Sequence, residues 1–108
     1  MTVEQLSEKL GLEPLVAAEP EREVTGGYTG DLLSWVMGRA EAGSAWVTIM
    51  TNKNIVAVAT LTDVATIILA EGVRPDADVI ETAREHGINI YGSSKDSFAL
   101  CGQISQLL

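Results

Sequence analysis

The sequence predicts an α/β domain of three layers, with a largely parallel sheet between two layers of helices. Three apolar runs, at residues 46–50, 66–70 and 88–91, read as buried strands, and a polar loop and a segment compatible with a helix follow each of them. Continuous apolar strands are typical of a sheet that is covered on both faces. The repeated strand–helix unit therefore predicts a Rossmann-like domain.

The N-terminal part of the chain begins with a helix that has marked ends. Thr2 and Gln5 have the spacing of a capping box, and Gly11 is typical of a left-handed helix end. After this helix, residues 15–18 and 22–25 have the composition of two short strands. We therefore expect a helix and two strands before the first glycine cluster.

The segment 54–64 is compatible with two structures. Ile55 and Val56 have strand propensity, and residues 52–54 suit a hairpin turn. A hairpin would leave residues 60–65 as a cramped connection, whereas a helix gives an evenly spaced crossover between parallel strands. We therefore expect a helix here.

Three further helices follow from apolar spacing and from end signals. Apolar residues recur at helical spacing over residues 32–41. Pro75 and Asp76 suit the start of another helix, which Gly87 ends. The last helix is expected to begin near Ser94.

Charge and composition exclude several classes of function. The chain has a net charge of −8, and its seven basic residues form no run. Binding to nucleic acid or to an anionic membrane requires clustered Lys and Arg, so neither partner is expected. Cys101 and His86 are the only residues of their types and cannot supply a Cys/His zinc site within one chain. We expect neither a metal nor a cofactor.

Length and hydropathy favour a single soluble domain over residues 1–108. The hydrophobic fraction of 46% is high for a short chain, and the apolar surplus favours a homodimer that buries part of it. The first helix carries Glu4, Glu8 and Lys9 and does not resemble a signal peptide. The apolar stretch 55–70 is interrupted by polar residues and is shorter than a membrane span. We expect a cytoplasmic protein.

A glycine-rich segment after the second predicted strand is the sharpest local feature. Glycines between a strand and a helix allow the backbone to approach a ligand, and free N–H groups at the helix start can hold an anion. The alternative is a tight turn that needs positive φ, with an ordinary helix cap. The spacing is not that of a dinucleotide fingerprint or a phosphate loop. The candidate ligand-binding residues are Thr25, Gly26, Gly27, Tyr28, Thr29, Gly30 and Asp31.

The loops after the predicted strands supply four more candidates. Ligands of open parallel sheets bind outside the carboxyl ends of the strands. Small polar residues occur there, although helix capping would also explain them. These candidates are Thr51, Asn52, Ser93 and Ser94.

No catalytic constellation is evident, and we expect a protein that is not an enzyme. His86 at a helix end suits the helix dipole better than general-base catalysis, because no nucleophile pattern accompanies it. Cys101 lies among apolar neighbours and is expected in the core. Trp35 lies off the main apolar stripe of its helix and is either a partner anchor or a core residue.

The segment 21–28, EREVTGGY, resembles the DRTGG family, which is named for an acidic residue, an arginine and Thr-Gly-Gly. Glu21 stands where the family has Asp. The family occurs as small stand-alone proteins, as a middle domain of some phosphotransacetylases and beside CBS domains, and it is similar to the N-terminal domain of HPr kinase/phosphorylase. Later segments in the same order also resemble the family, namely residues 45–49, 54–59, 67–69, 93–94 and 97–98.

The resemblance implies a three-layer α/β/α fold, like that of the N-terminal domain of certain Mur ligases, and a regulatory role. It does not imply kinase activity, because the phosphate loop of the kinase lies in its other domain.

Two functions follow as hypotheses. The first is a regulatory, ligand-sensing homodimer that binds a small anionic metabolite or nucleotide at the Thr-Gly-Gly segment. The second is an accessory subunit that binds a larger metabolic or redox enzyme and no small molecule.

Overall fold

The computed structural model describes all 108 residues, as five helices and five strands. In chain order these are α1 Val3–Leu10, β1 Glu13–Val16, β2 Gly26–Thr29, α2 Leu33–Arg39, β3 Ser44–Thr48, α3 Asn54–Thr62, β4 Thr66–Leu69, α4 Ala77–His86, β5 Ile90–Gly92 and α5 Ser97–Leu107.

One sheet contains all five strands in the order β1-β5-β4-β3-β2. Strands β2 to β5 run parallel, and only β1 is antiparallel to its neighbour β5. The buried apolar side chains form two clusters, one on each face of the sheet. The first cluster joins the sheet to α2, α3 and α4, and the second joins it to α1 and α5. The expected three-layer α/β/α architecture with a largely parallel sheet is confirmed.

The end signals of the helices act as the sequence predicts. Thr2 Oγ1 accepts a hydrogen bond from the Gln5 amide at 3.1 Å, and Gln5 Oε1 accepts one from the Thr2 amide at 2.9 Å. Gly11 and Gly87 end α1 and α4 with φ of 61° and 68°. Both glycines lie in the left-handed region, where a Cβ would be strained.

The segment after β3 is a helix, as expected, and not the second strand of a hairpin. Helix α3 begins at Asn54 and ends at Thr62, and its buried side chains pack in the first cluster. Asp63 follows in the left-handed region with φ of 58°. The crossover that α3 provides places β3 and β4 side by side and parallel.

The glycine-rich segment differs from the prediction. Residues 26–29 form strand β2, and residues 22–25 form no strand; only Glu23 makes an isolated bridge, with Thr2. The glycines with positive φ lie elsewhere, so Gly26, Gly27 and Gly30 do not form the tight turn that the alternative interpretation required. Pairing with β3 over four residues holds this segment extended.

Several boundaries also shift. The final helix begins at Ser97, three residues after the predicted start, because the side chain of Asp96 accepts a hydrogen bond from the Ala99 amide and caps it. Strand β1 starts at Glu13 and includes Pro14, which is tolerated because β1 lies at an edge of the sheet.

Candidate functional site

The sheet separates the candidate residues into two groups. Thr25 lies at the amino end of β2, where its amide donates to Gly43 O at 2.9 Å, and Gly26 begins the strand. Gly27 and Tyr28 lie within the strand and Thr29 ends it, whereas the other candidates follow the carboxyl ends of β2, β3 and β5. At a rise of roughly 3.3 Å per residue, Thr25 and Thr29 are roughly 13 Å apart. The eleven predicted residues therefore do not form one site.

Asp31 bonds to the end of the neighbouring strand. Its Oδ1 accepts hydrogen bonds from Thr48 Oγ1 at 2.8 Å and from the Ile49 amide at 3.0 Å. Gly30 O accepts from the indole N–H of Trp46 at 3.0 Å. A carboxylate of the protein thus occupies the donors that an anion would use here, which disfavours an anionic ligand at the end of β2.

Thr51 and Asn52 order the loop before α3. Asn52 Oδ1 accepts from the Asn54 amide at 2.9 Å, and Thr51 O accepts from the Asp76 amide at 3.2 Å. The first contact is a local turn at the entry to α3, and the second joins this loop to the start of α4.

The start of α5 is also occupied by protein carboxylates. Asp96 Oδ1 accepts from the Ala99 amide at 2.9 Å, and Glu71 Oε2 accepts from the Ser97 amide at 3.0 Å. Two negative side chains thus hold N–H groups of the first turn, and the macrodipole is already compensated. Ser93 and Ser94 precede this cap and are not part of it.

Ser93 and Ser94 instead line a polar cleft of about 330 Å3 beside Arg74. The cleft lies at the carboxyl ends of β4 and β5, and the start of β1 closes it. Arg74 Nη1 lies 2.8 Å from Glu13 Oε2 and 3.0 Å from Glu13 Oε1. The glycine residues that line the cleft are Gly11, Gly72 and Gly92.

Arg74 was missed by the sequence analysis. A signal for it exists, because this arginine stands in the loop that follows the apolar run of β4, where ligands of parallel sheets bind. The pairing with Glu13 has no comparable signal, since it joins residues 61 positions apart.

Gly27 lines a second cavity of a different kind. This groove of about 300 Å3 lies between β2 and α5, and its lining has no charged residue. A Cβ on Gly27 would meet Ala45 O at 3.7 Å and Ile104 Cγ2 at 3.9 Å, which are ordinary contacts. The glycine therefore leaves the groove open and does not relieve a clash.

His86, Cys101 and Trp35, which the sequence also singled out, lie in three separate parts of the structure. His86 Nδ1 lies 2.9 Å from Thr82 O on the exposed side of α4. Cys101 is half-buried and lines the groove beside β2, whereas the sequence placed it in the core. Trp35 is 52% exposed, and the guanidinium carbon of Arg39 lies 3.8 Å from its ring centroid. The core alternative for Trp35 is therefore wrong.

No cluster of three or more His, Cys, Asp or Glu side chains has a geometry that could hold a metal ion. None of the five helices combines the length and the apolar character that crossing a membrane requires.

Comparison with known proteins identifies a family and solved structures of similar fold. A search of curated proteins found no match. The structure is similar to the crystal structure of the CBS and DRTGG domains of the regulatory region of Clostridium perfringens pyrophosphatase, complexed with the activator diadenosine tetraphosphate. The TM-score is 0.76 at 18% identity, over 99% of this chain and 47% of that chain. This chain thus spans about half of that structure.

The model of the DRTGG domain matches residues 31–107. The segment 21–28, on which the resemblance began, lies outside this range, whereas the later segments that carried it lie inside. Because the match covers most of the sequence, the chain belongs to the DRTGG domain family.

Proposed function

We propose that this chain is a non-catalytic regulatory domain that senses a small anionic metabolite or nucleotide. The observation that carries the proposal is the cleft in which Arg74 lies beside Ser93 and Ser94. It combines a guanidinium, two hydroxyl groups and glycine backbone at the carboxyl edge of a parallel sheet. These are the groups and the position that suit a phosphate or a carboxylate.

Glu13 could couple ligand binding in the cleft to the position of strand β1. In this structure the Glu13 carboxylate is the partner of Arg74, at 2.8 Å. An anionic ligand competes with Glu13 for the guanidinium, and Glu13 is the first residue of β1, paired with Gly92 of β5. Ligand binding would therefore loosen one contact that holds the antiparallel edge strand.

The similar structure supports the choice of ligand class. It is described as a regulatory region complexed with an activating dinucleotide. A nucleotide is therefore the first probe for this chain, and acyl phosphates are the second.

Calorimetric titration with diadenosine tetraphosphate, ATP and acetyl phosphate tests the proposal. We expect one of these to bind the wild type, and Arg74→Gln to weaken binding by about tenfold or more, because a charge-assisted hydrogen bond is lost. Arg84→Gln is the matched control, since it removes the same charge from the exposed end of α4. Both exposed variants are expected to fold, because a surface ion pair contributes about 1 kcal/mol or less.

The Gly27→Val variant tests whether a ligand binds in the cleft or at the Thr-Gly-Gly segment. A Cβ on Gly27 makes only ordinary contacts, and valine adds bulk to the groove between β2 and α5. Unchanged binding in Gly27→Val together with weakened binding in Arg74→Gln supports the cleft. The reverse result assigns the ligand to Thr25–Asp31, and no binding of any probe contradicts ligand sensing by these classes.

A second candidate function is that of an accessory subunit of a larger metabolic or redox enzyme. Leu32, Trp35 and Met37 are 58%, 52% and 49% exposed on or beside α2, and tryptophan is a common anchor of interfaces. Co-purification of one partner in fixed stoichiometry, lost in Trp35→Ala, supports this candidate. Wild type and variant that both purify alone contradict it.

We also propose that the domain acts as a cytoplasmic homodimer. The apolar side chains left exposed in one copy support a dimer, the most exposed being Phe98 at 90%.

A further inference from the structure

The two edges of the sheet differ in how they are protected. Strand β1 forms one edge and carries Glu13 and Pro14, and its register with β5 shifts between Pro14 and Val16. A charge, a proline and a bulge are the features by which proteins prevent an edge strand from pairing with another chain. The β1 edge is therefore blocked.

Strand β2 forms the other edge and has none of these features. Its four residues, Gly26 to Thr29, are uncharged, include no proline and pair in regular register with residues 44–47 of β3. Gly27 and Thr29 are exposed. The outer side of this strand thus presents extended, unpaired backbone to solvent.

An apolar surface flanks the β2 edge on the side of α5. The groove beside Gly27 is lined on that helix by Cys101, Ile104, Ser105 and Leu108. Phe98 lies on the same helical stripe, three residues before Cys101, and is 90% exposed. A monomer would leave the backbone edge and the side chains of Phe98 and Leu108 exposed to water, whereas Ile104 is already buried.

Charge determines which partner suits this edge. The chain contains 15 acidic residues and has a net charge of −8, so two copies repel each other over most of their surface. Neither β2 nor the groove beside it contains an acidic residue. A second copy can therefore approach here without bringing Asp or Glu side chains of β2 or the groove into contact.

We propose that two copies of this chain pair through β2, antiparallel about a two-fold axis, so that the two sheets become one and the α5 stripes cover each other. A two-fold axis makes the same strand serve on both sides, and the short, uncharged β2 is complementary to itself. The inference rests on the homodimer of the proposed function and assigns its interface.

Sedimentation measurements that compare the dimerisation of Gly26→Lys with that of Ala17→Lys test this interface. A Cβ on Gly26 meets nothing within 4 Å, so lysine fits the single copy while placing a charge on the edge. Ala17 is exposed just after β1, and lysine there makes the same change in net charge. We expect a dimer for the wild type and Ala17→Lys, and dimerisation at least about tenfold weaker for Gly26→Lys with an unchanged circular dichroism spectrum.

Hydrogen exchange gives a readout that needs no variant. The proposal expects the amides of residues 26–29 in the wild type to become more protected as protein concentration rises, while those of β1 do not change. This measurement decides the question if Gly26→Lys fails to fold.

The interface is wrong if the wild type is monomeric at high concentration, or if Gly26→Lys dimerises as strongly as Ala17→Lys. The interface is also wrong if the hydrogen-exchange protection of residues 26–29 does not change with protein concentration. That result is expected if β2 pairs with a different protein. Titration of Ala17→Lys with nucleotide is independent of these results, because Ala17 belongs neither to the cleft nor to the Thr-Gly-Gly segment. Ligand sensing can therefore fail while the interface stands, and the converse also holds.

Discussion

The side-chain amide of Asn89 forms two hydrogen bonds with the backbone of Glu19, 70 residues earlier in the chain. Asn89 Oδ1 accepts from the Glu19 amide at 2.7 Å, and Asn89 Nδ2 donates to Glu19 O at 2.8 Å. The same nitrogen donates to Ala65 O at 3.0 Å. One side chain just before β5, 2% exposed, thus holds the connection from β1 to β2 against the start of β4.

We expect Asn89→Ala to lower the free energy of unfolding by about 2–3 kcal/mol, because it leaves a buried carbonyl of Ala65 without its donor and frees the Glu19 loop. Urea denaturation measures the change. Asn54→Ala is the control, since Asn54 is exposed at the first residue of α3 and should change stability by less than about 0.5 kcal/mol. Equal effects of the two variants would contradict the role assigned to Asn89.

Arg22 holds the end of α3. Its Nη2 donates to Asp63 O at 2.6 Å and lies 2.9 Å from Asp63 Oδ1. Arg22→Met should cost about 1 kcal/mol in a urea titration, a modest value because Asp63 is exposed to solvent. Arg84→Met should change stability by less than about 0.5 kcal/mol. An Arg22 variant as stable as the wild type would remove the structural explanation for this arginine.

Gly43 and Gly38 should respond to alanine with opposite signs. Gly43 has φ of 82°, and a Cβ there would lie against Thr25 Oγ1, so Gly43→Ala should destabilise the fold by about 1–3 kcal/mol. Gly38 lies within α2 with open space around it, and Gly38→Ala should stabilise it by about 0.5–1 kcal/mol. Thermal unfolding checks both.

Introducing Gly43→Ala into a Thr25→Ala variant distinguishes the two causes of destabilisation, which are the contact with Thr25 Oγ1 and the positive φ of residue 43. Removing Oγ1 relieves the contact and leaves the backbone strain, so part of the Gly43→Ala penalty should remain. Complete recovery would mean that the positive φ carries no cost.

Tyr91 makes stability depend on pH in the alkaline range. Burial raises the pKa of its hydroxyl above the usual 10.0, and the negative charge of Glu4 acts in the same direction. The folded state therefore holds this proton more tightly than the unfolded state, so the stabilisation is complete below pH 10 and is lost as pH rises through the folded-state pKa.

We expect the midpoint of thermal unfolding to fall above pH 10, and Tyr91→Phe to show a shallower fall. Tyr28→Phe is the control, because it removes the same titrating group from a half-buried position on the opposite face of the sheet. The phenolate absorbance of the wild type should appear at higher pH than that of the unfolded chain. Identical alkaline profiles for the wild type and Tyr91→Phe would contradict this account.

Signals that act within a few residues were enough to predict the helices. The capping box at Thr2 and the glycines at 11 and 87 act through neighbours in the sequence, so their structure follows from local chemistry. The helix at Asn54–Thr62 required one further argument, the length of connection that parallel strands need.

Strand β2 could not be predicted in the same way. Two adjacent glycines favour a turn by their local conformational preference. The extended conformation of Gly26 and Gly27 comes from hydrogen bonding to β3, which is distant in the sequence. The candidate residues lie apart for the same reason, because the extended strand places Thr25 before its amino end and Asp31 beyond its carboxyl end. Arg74 and Glu13 meet only because β1 lies beside β5, and no local pattern encodes that order.

The blocked β1 edge has a consequence for the size of any assembly. A sheet with two open edges can add copies without limit and forms fibres, as in amyloid. A sheet with one open edge consumes that edge in the first pairing and then presents only Glu13, Pro14 and the bulge at both ends. Growth by edge pairing would therefore stop at the proposed dimer, because neither outer edge of the joined sheet accepts a further copy.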